Sequence, residues 1–466
     1  MLAALGLTAT APLPDFTGLE ADSRRVQPGM VFACMTGNDA HVAQAVARGA
    51  VAVLAAPGLV WPSGVPPVPV ITAAQPRRAL AQLAALQAGP APGMVVAVTG
   101  TNGKTSTVGF LRQIATAAGH RAASIGTLGV QTDAGASAPG STIPGPTIPG
   151  LTTPGPVELA QTLARLARDG VGMVALEASS HGLDQHRLDG LTLAAAGFTN
   201  LTRDHLDYHG TEQAYRAAKL RLFTELLPRG APAVLMADLD PALRQVIAGH
   251  TVGEGGTLLD LHAATPHPGG QTLVVNGRTI DLPLPGRFQA DNALLAAGLA
   301  IVTGVPDALD YLPRLCGVRG RMELVSTTGG AAAYVDYAHT PDALIRLLQA
   351  LRPHTPGRLH IVFGAGGDRD RGKRPLMGQA ALLADVQIVT DDNPRSEDPA
   401  RIRAAIRAAC PGAREIGDRA TAIAAALDAL RPGDVLVVAG KGHEQGQEVA
   451  GAITPFDDAA VIRAHA

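Results

Sequence analysis

Met94-Val-Val-Ala-Val-Thr-Gly-Thr-Asn-Gly-Lys-Thr-Ser-Thr-Val108 joins a short apolar run, a turn bracketed by glycines and the start of a helical pattern. Met94–Thr99 reads as a buried strand, and Lys104–Ala118 as the helix that follows it. Between them, Gly100-Thr-Asn-Gly-Lys-Thr105 has the make-up of a phosphate loop. Glycines let backbone N–H groups turn toward an anion, and the helix N-terminus adds a favourable partial charge. Lys104 would reach the terminal phosphates, and Thr105 would offer its hydroxyl to Mg²⁺. Gly100, Thr101, Asn102, Gly103, Lys104 and Thr105 are therefore the ATP-binding candidates. The full pattern has glycine at position 98, where this chain has Val98, so the loop is a shortened form. The bland reading, a glycine-rich turn with a solvated lysine, fits the strand–helix setting poorly.

Outward from this loop, strands and helices alternate. Pro156 suits a first helical turn, followed by Val157, Leu159, Leu163 and Leu166 at near-helical spacing; Gly170 stops the helix and Val171–Leu176 reads as the next strand. Further strands are Leu359–Phe363, Val386–Thr390 and Val435–Ala439, with helices around Arg401–Ala409 and Thr421–Leu430. Such alternation implies α/β folding with parallel sheets covered by helices, and ligands at the carboxyl ends of the strands. Thr142–Gly150, with its repeated Ile-Pro-Gly, reads as a loop. The linker-like Gln87-Ala-Gly-Pro-Ala-Pro-Gly93 and a second seam near Gly317–Gly320, after a helical pattern ending at Leu315, divide the chain into blocks 1–91, 92–317 and 318–466.

Composition narrows the function classes. The 466 residues, 46% hydrophobic, suffice for several cores, and much of the apolar content is alanine. No apolar run reaches the length of about 18 residues that a spanning helix needs. The apolar start lacks Lys or Arg before Arg24, which argues against a secretory leader. Net charge is −2, from 38 basic and 40 acidic residues without a basic run, so nucleic acid is not an expected partner. Cys34, Cys316 and Cys410 lie far apart, which fits a reducing cytoplasm rather than a zinc site or a disulfide scaffold.

Three further groups carry chemistry. Glu177, at the end of a strand near the phosphate loop, is well placed to hold Mg²⁺, although a lone glutamate there could simply face solvent. Thr199-Asn-Leu-Thr-Arg-Asp-His-Leu-Asp-Tyr-His-Gly210 packs Arg203, Asp204, His205, Asp207 and His209 into one segment, a site or a hydrogen-bonded loop. Lys219 sits on the helix Tyr215–Phe223, where an isolated lysine would be solvated.

With these motifs in view the chain resembles the Mur ligases, specifically the branch that adds a diamino acid to a UDP-linked muramoyl dipeptide. The resemblance runs through nearly the whole sequence: Asp22-Ser-Arg24, the phosphate loop, Leu151-Thr-Thr-Pro154, Glu177-Ala-Ser-Ser-His181, Asn200–Gly210, Gly320-Arg-Met-Glu323, Asp336-Tyr-Ala-His-Thr-Pro-Asp342, Gly364–Pro375, Asp392-Asn-Pro-Arg395 and Gly440-Lys-Gly-His-Glu444. It implies a UDP-binding N-terminal domain, a central ATPase domain of the phosphate-loop type and a C-terminal doubly wound α/β domain for the incoming amino acid. It implies phosphorylation of the D-glutamate side chain of UDP-N-acetylmuramoyl-L-alanyl-D-glutamate by ATP, then attack of the amine on the acyl phosphate, with closure of the third domain excluding water. The implied state is a cytoplasmic monomer, without membrane insertion, serving peptidoglycan synthesis.

By position, the resemblance implies that Ser23 contacts the uridine nucleotide and that Thr152, Thr153, Ser179 and Arg187 contact the muramoyl peptide. It implies Thr105, Glu177, His205 and Lys219 as metal ligands, Lys219 as a carbamate, since carbamylation turns a cation into a carboxylate-like ligand. Asn292, Arg321 and Asp336 match nucleotide contacts; Arg369, Asp392, Asn393, Arg395, Gly440 and Glu444 match the amino-acid site. Phe288-Gln-Ala-Asp-Asn292 departs from the pattern, with Gln289 where the family has a first asparagine. Gly37-Asn-Asp-Ala-His41 is shorter than the usual loop, so no contacts are carried over to it. Meso-diaminopimelate is the expected amino acid: Arg395 would pair with its second carboxylate, because a buried arginine without a partner carboxylate is costly, and Glu444 would accept its distal ammonium. Lysine or ornithine remains the alternative, with Arg395 on the ordinary α-carboxylate. Readings of another kind are a phosphate-loop kinase or NTPase, folate polyglutamylation and a non-enzymatic nucleotide-binding regulator. The third-domain motifs argue against a kinase, Asp392–Arg395 against a folate enzyme, and the intact site residues against a regulator.

Overall fold

A computed structural model of the chain describes residues 2, 5–35, 39–132, 141–142, 151–202, 204–236, 238–250, 259, 261–267 and 270–465. Positions 143–150 of the Ile-Pro-Gly loop, Gly37 and Asn38 of the shortened stretch, and Arg203 lie outside the described residues. The chain folds into two compact units, Met1–Leu258 with Leu295–Ala308, and Leu259–Leu294 with Leu309–Ala466.

The first unit holds two sheets. Strands β1 (Thr8–Ala9), β2 (Gly18–Glu20), β3 (Met30–Ala33), β4 (Ala52–Ala55) and β5 (Val70–Thr72) lie in the order β1-β5-β4-β3-β2, parallel except for β1. Helix α1 (Asp39–Ala47) follows β3, and α2 (Pro76–Ala88) follows β5. Strand β4, Ala-Val-Leu-Ala, is buried along its whole length because apolar groups cover both faces of the sheet. One of those groups includes Trp61, the chain's single tryptophan, whose Nε1 donates to the Val65 carbonyl at 3.1 Å. Helix α2 opens on Pro76 and runs through Gln87 and Ala88, so the linker read from composition begins inside it and turns at Gly89, φ 93°.

The second sheet is built from β6 (Met94–Thr99), α3 (Lys104–Ala117), β7 (Ala122–Gly126), β8 (Gly129–Thr132), β9 (Ser141–Thr142), α4 (Pro156–Arg168), β10 (Met173–Glu177), α5 (Ser180–Asp184), β11 (Ala195–Phe198), α6 (Leu206–His209), α7 (Glu212–Arg221), β12 (Ala233–Leu235) and α8 (Pro241–Ala248). Its order is β12-β11-β6-β10-β7-β8-β9. The first five are parallel; β8 and β9 run antiparallel, because the turn Thr127–Leu128 returns the chain as a hairpin instead of a crossover. Helix α4 has Pro156 at its first turn, buried Leu159, Leu163 and Leu166, and Arg165 and Arg168 near its C-terminal dipole. Helix α7 is capped by Thr211, whose hydroxyl accepts from the Ala214 N–H at 3.1 Å, and ends in a π-helical turn over Leu222–Leu226.

The second unit opens with an antiparallel meander, β13 (Leu261–His267), β14 (Gly270–Val275) and β15 (Arg278–Leu282), which the strand–helix reading did not contain. Helix α9 (Arg287–Val302) contributes residues to both units. The helical pattern extended to Leu315 breaks at Val302; Gly304 has φ 103°, Pro306 follows, and Ala308–Arg314 is a 3₁₀ segment. Then come β16 (Glu323–Ser326), β17 (Ala332–Asp336), α10 (Pro341–Leu351), β18 (Leu359–Phe363), α11 (Lys373–Ala381), β19 (Val386–Val389), α12 (Pro399–Arg407), β20 (Arg414–Glu415), α13 (Arg419–Asp428), β21 (Val435–Ala439), β22 (Gly446–Val449), β23 (Ala452–Pro455) and α14 (Asp458–His465). The main sheet runs β16-β17-β21-β18-β19-β20, parallel except for β16. Helices α12 and α13 start earlier than their apolar patterns because Asp398 and Asp418 cap them, accepting from the Ala400 and Thr421 N–H groups at 2.9 and 2.8 Å.

Among the described residues no helix is long and apolar enough to cross a membrane. Beneath the end of β21, Arg419 meets Asp458 through two bonds of 2.7 Å, both side chains 0% exposed, and donates to the Ala439 carbonyl at 2.9 Å. Removing one partner strands the other charge. Asp458→Ala should therefore lose about 3–5 kcal/mol in urea unfolding, while Arg419→Met/Asp458→Leu should lose much less. Equal losses would show that packing, not charge pairing, holds this layer.

Candidate active site

Parallel pairing of β11, β6, β10 and β7 brings four strand ends to one edge of the central sheet. From them emerge Thr199–Asn200, the phosphate loop, Glu177 and Thr127. Gly100, with φ 140°, crosses so close to β11 that a Cβ would meet Thr199 Oγ1 at 1.8 Å. Thr199 Oγ1 donates to the Asn102 carbonyl at 2.6 Å; the Asn200 side chain accepts from Asn102 N–H at 3.0 Å and donates to its carbonyl at 3.2 Å. Thr101 Oγ1 bonds to the Thr202 backbone and lies 3.0 Å from the Tyr215 hydroxyl. Gly103, φ 86°, then turns the chain into α3.

Glu177 is 1% exposed. Its Oε1 accepts from Thr127 N–H at 2.9 Å and its Oε2 from Thr105 Oγ1 at 3.1 Å. Gly126 leaves the necessary room, since a Cβ there would meet Glu177 Oε1 at 2.1 Å. Thr105 and Glu177 thus present paired hard oxygens beside a helix start, the donor chemistry that Mg²⁺ takes. Among the described residues no group of three or more His, Cys, Asp and Glu side chains is arranged to hold a metal ion. His205, whose side chain is 46% exposed, has the rings of His181 and Tyr215 and the carboxylate of Asp204 as neighbours.

Lys104 Nζ donates to the carbonyls of Gly100 and Thr101, both at 2.9 Å. Lys219 is not the solvated residue that its helix position suggests: it is 1% exposed, donates to the Gly100 carbonyl at 2.7 Å and sits 4.5 Å from the Tyr215 ring centroid. Burial, reinforced by Lys104, holds its pKa well below the usual lysine value.

Most candidates for the muramoyl peptide gather beside the end of β10. Thr153 Oγ1 donates to the Glu177 carbonyl at 2.8 Å, lies 2.9 Å from Ser179 Oγ and accepts from Ser179 N–H at 3.0 Å. Arg187 donates to the Thr153 carbonyl at 2.5 Å, and Thr152 Oγ1 is 3.3 Å from Thr127 Oγ1. Ser23 belongs to the other sheet of this unit, where its buried hydroxyl donates to Gln44 Oε1 at 2.6 Å.

In the second unit Asn292 donates to Gln289 Oε1 and Gln289 to the Arg321 carbonyl, each at 3.3 Å, with Gln289 fully buried. The longer Gln289 amide is therefore turned inward. The Arg321 guanidinium lies over Tyr337, 4.7 Å from the ring centroid. Asp336 accepts from the N–H groups of Met322 and Ala338, both at 2.8 Å, while burial pushes its pKa up against the pull of Arg321.

Asp392, Asn393, Arg395, Gly440 and Glu444 come together at the ends of β19 and β21. Gly440, φ 113°, allows Asp392 Oδ2 to approach where a Cβ would stand 2.6 Å away. Asn393 Nδ2 donates to Glu444 Oε2 at 2.9 Å. Arg369 is exposed. Arg395 corrects one step of the sequence argument. It does not lack a partner: Nε lies 3.3 Å from Glu448 Oε2, Nη1 donates to the Gly367 carbonyl at 2.8 Å, and the side chain is 24% exposed. A substrate carboxylate is thus not needed to satisfy it.

Sequence reading missed Thr127, Tyr215 and Lys441. Thr127 lies in a hairpin turn without a motif of its own, and Tyr215 matters only through the fold. Lys441 stood inside a quoted motif without a role of its own; it is 0% exposed.

Comparison with known proteins identifies the family. Residues 98–300 match the Mur ligase middle domain, and residues 320–442 match the Mur ligase, glutamate ligase domain. A UDP-N-acetylmuramoyl-L-alanyl-D-glutamate–2,6-diaminopimelate ligase of Caulobacter vibrioides is 56% identical over 96% of this chain and 94% of its own length. One of the same name from Zymomonas mobilis is 45% identical over 96% of this chain and 94% of its own. A solved structure of a ligase of that name, 33% identical, covers 97% of this chain and 94% of its own with a TM-score of 0.69. A Thermotoga maritima MurF ligase in complex with ADP, 18% identical and covering 96% of each chain with a TM-score of 0.60, shares the fold. Likeness that extends through both matched domains and nearly the full length makes this chain a member of the Mur ligase family.

Proposed function

We propose that the chain joins meso-diaminopimelate to UDP-N-acetylmuramoyl-L-alanyl-D-glutamate, using ATP, in peptidoglycan precursor synthesis. The observation that carries the reaction class is the buried Glu177 carboxylate, bonded to Thr105 of the phosphate loop and to Thr127, with Thr153 on the backbone carbonyl of the same residue and Ser179 and Arg187 bonded to Thr153. The amino acid rests on the relatives' names together with Arg395 and Glu444, which offer a cation and an anion to a distal carboxylate and ammonium. In this reading blocks 1–91, 92–317 and 318–466 bind the UDP moiety, the ATP and the amino acid, and the enzyme is a cytoplasmic monomer. None of Cys34, Cys316 and Cys410 is in a disulfide, which fits a reducing compartment.

The chemistry follows from what a carboxylate lacks. Its carbon is a poor electrophile until one oxygen becomes a leaving group. An oxygen of the D-glutamate side chain attacks the terminal phosphorus of ATP, ADP departs, and an acyl phosphate results. The amine of the amino acid then attacks the acyl carbon, phosphate leaves, and the nitrogen loses a proton. Phosphoryl transfer asks mainly for positioning and positive charge. The start of α3 supplies backbone donors, Lys104 a cation, and Thr153, Ser179 and Arg187 the polar edge that orients the peptide. Mg²⁺, held by Thr105, Glu177, His205 and the Lys219 carbamate, would neutralise charge on the phosphates. Only an uncharged amine reacts with CO₂, and the lowered pKa of Lys219 favours that form.

Phosphate release from ATP should require both the UDP-dipeptide and an amino acid, with diaminopimelate used better than lysine or ornithine. Release without either would favour an NTPase, and better use of lysine or ornithine would reassign the amino acid. Lys104→Ala removes a cation at the transferring group and should slow amide formation by about 10²–10³; near-normal rates would overturn the phosphate-loop assignment. Lys219→Ala should lose activity, and added short carboxylic acids should restore part of it. Absence of rescue, together with an unmodified amine by mass spectrometry under CO₂, would remove the carbamate from the scheme.

A further inference from the structure

Lys441, the residue after Gly440 at the carboxyl end of β21, has no part in the scheme above. Its side chain is 0% exposed, yet it lies among the groups proposed to hold the amino acid. Its ammonium donates to Asn393 Oδ1 at 2.8 Å and lies 3.4 Å from Glu444 Oε2. The same Oδ1 accepts from Glu448 N–H at 3.0 Å. Two donors therefore hold the amide oxygen on one side and aim Nδ2 at Glu444 Oε2, 2.9 Å away.

Charge is the second consequence. A buried ammonium persists only when paired, and Glu444 pairs with Lys441 as Glu448, at 3.3 Å, pairs with Arg395. Two cations face two anions, so the network is neutral before substrate arrives; Asp392 and Arg369 add one charge of each sign.

We propose that Lys441 sets the amino-acid selectivity of this site by keeping it neutral toward a zwitterionic distal end. The proposal rests on the reading of the preceding section. The distal end of diaminopimelate carries an ammonium and a carboxylate and brings no net charge. That of lysine or ornithine is a bare ammonium. An ammonium approaching Glu444, whose side chain is 34% exposed, also approaches the buried Lys441, and like charges brought together there are disfavoured. A distal carboxylate near Arg395 offsets that repulsion; lysine and ornithine have none. Lys441 reaches the binding side chains and not the reacting atoms, so it is a positioning residue that acts through Asn393 and Glu444.

The test compares kcat/KM for meso-diaminopimelate and L-lysine in the full-length wild type, Lys441→Met and Lys441→Gln. The glutamine variant keeps a donor for Asn393 without the charge and guards against misfolding of the methionine variant; thermal unfolding checks both. The ratio favouring diaminopimelate should fall at least about tenfold in each folded variant, with a gain in absolute use of lysine and an unchanged KM for ATP. Lys441→Met/Glu444→Gln, neutral again, should lose the gain on lysine. An unchanged ratio, an equal loss on both amino acids, or persistence of the lysine gain in the double variant would overturn the proposal. A wild type that uses neither amino acid would overturn the function proposed above instead, so the two failures are distinct.

Discussion

A carboxylate buried at the edge of a parallel sheet is the constraint around which the first unit is arranged. Glu177 leaves water at a cost that only directed donors can offset. They come from Thr127 and Thr105, which follow different strands, and Thr153 bonds to the carbonyl of the same residue. Those bonds require β7, β6 and β10 to end at one level, and they require glycine at 126. The phosphate loop, the hairpin turn and Thr153 are thus tied to one residue. A ligand carboxylate or phosphate entering here meets donors already in place, so little reorganisation remains for the reaction itself.

How much of this was legible in the sequence depended on whether a signal was local. The phosphate loop was readable because a glycine turn between a strand and a helix is a local pattern, and the largely apolar Leu359–Phe363 and Val435–Ala439 matched their observed bounds. The resemblance pointed to Thr153, Ser179 and Arg187, and the fold draws them together. What escaped was non-local. Lys219 has an ordinary amphipathic helix around it, and its burial follows from how α7 lies against the phosphate loop. The Glu448 partner of Arg395 stands in a hairpin with no signal of its own. The meander Leu261–Leu282 alternates toward one face, a weak pattern next to the strand–helix rhythm on either side.

The two units solve the problem of buried charge differently. In the first, two lysines converge on one carbonyl, that of Gly100, with Lys219 shielded by Tyr215, and the cost is expressed as a weakened hold on a proton. In the second, buried cations meet carboxylates: Arg419 with Asp458, Arg374 with Glu397 at 2.8 Å, Lys441 with Glu444. His443 is held neutral there by burial, then by Arg321 and Arg319, with its pKa pushed down to about 4. The first unit thus brings two ammonium groups to one backbone oxygen, whereas the second sets its buried cations against carboxylates.

The lone indole of Trp61 has a use beyond packing. It lies on the first sheet, half-buried and tied to Val65, while the remaining aromatic side chains are five tyrosines and eight phenylalanines. Light absorbed at the red edge of the protein spectrum is therefore emitted from one place. Intrinsic fluorescence reports the environment of the N-terminal sheet alone, and melting of the phosphate-loop sheet or of the amino-acid-binding unit can leave it silent. An unfolding curve followed at this wavelength describes a single element of the molecule, and its disagreement with circular dichroism would measure how independently that element melts.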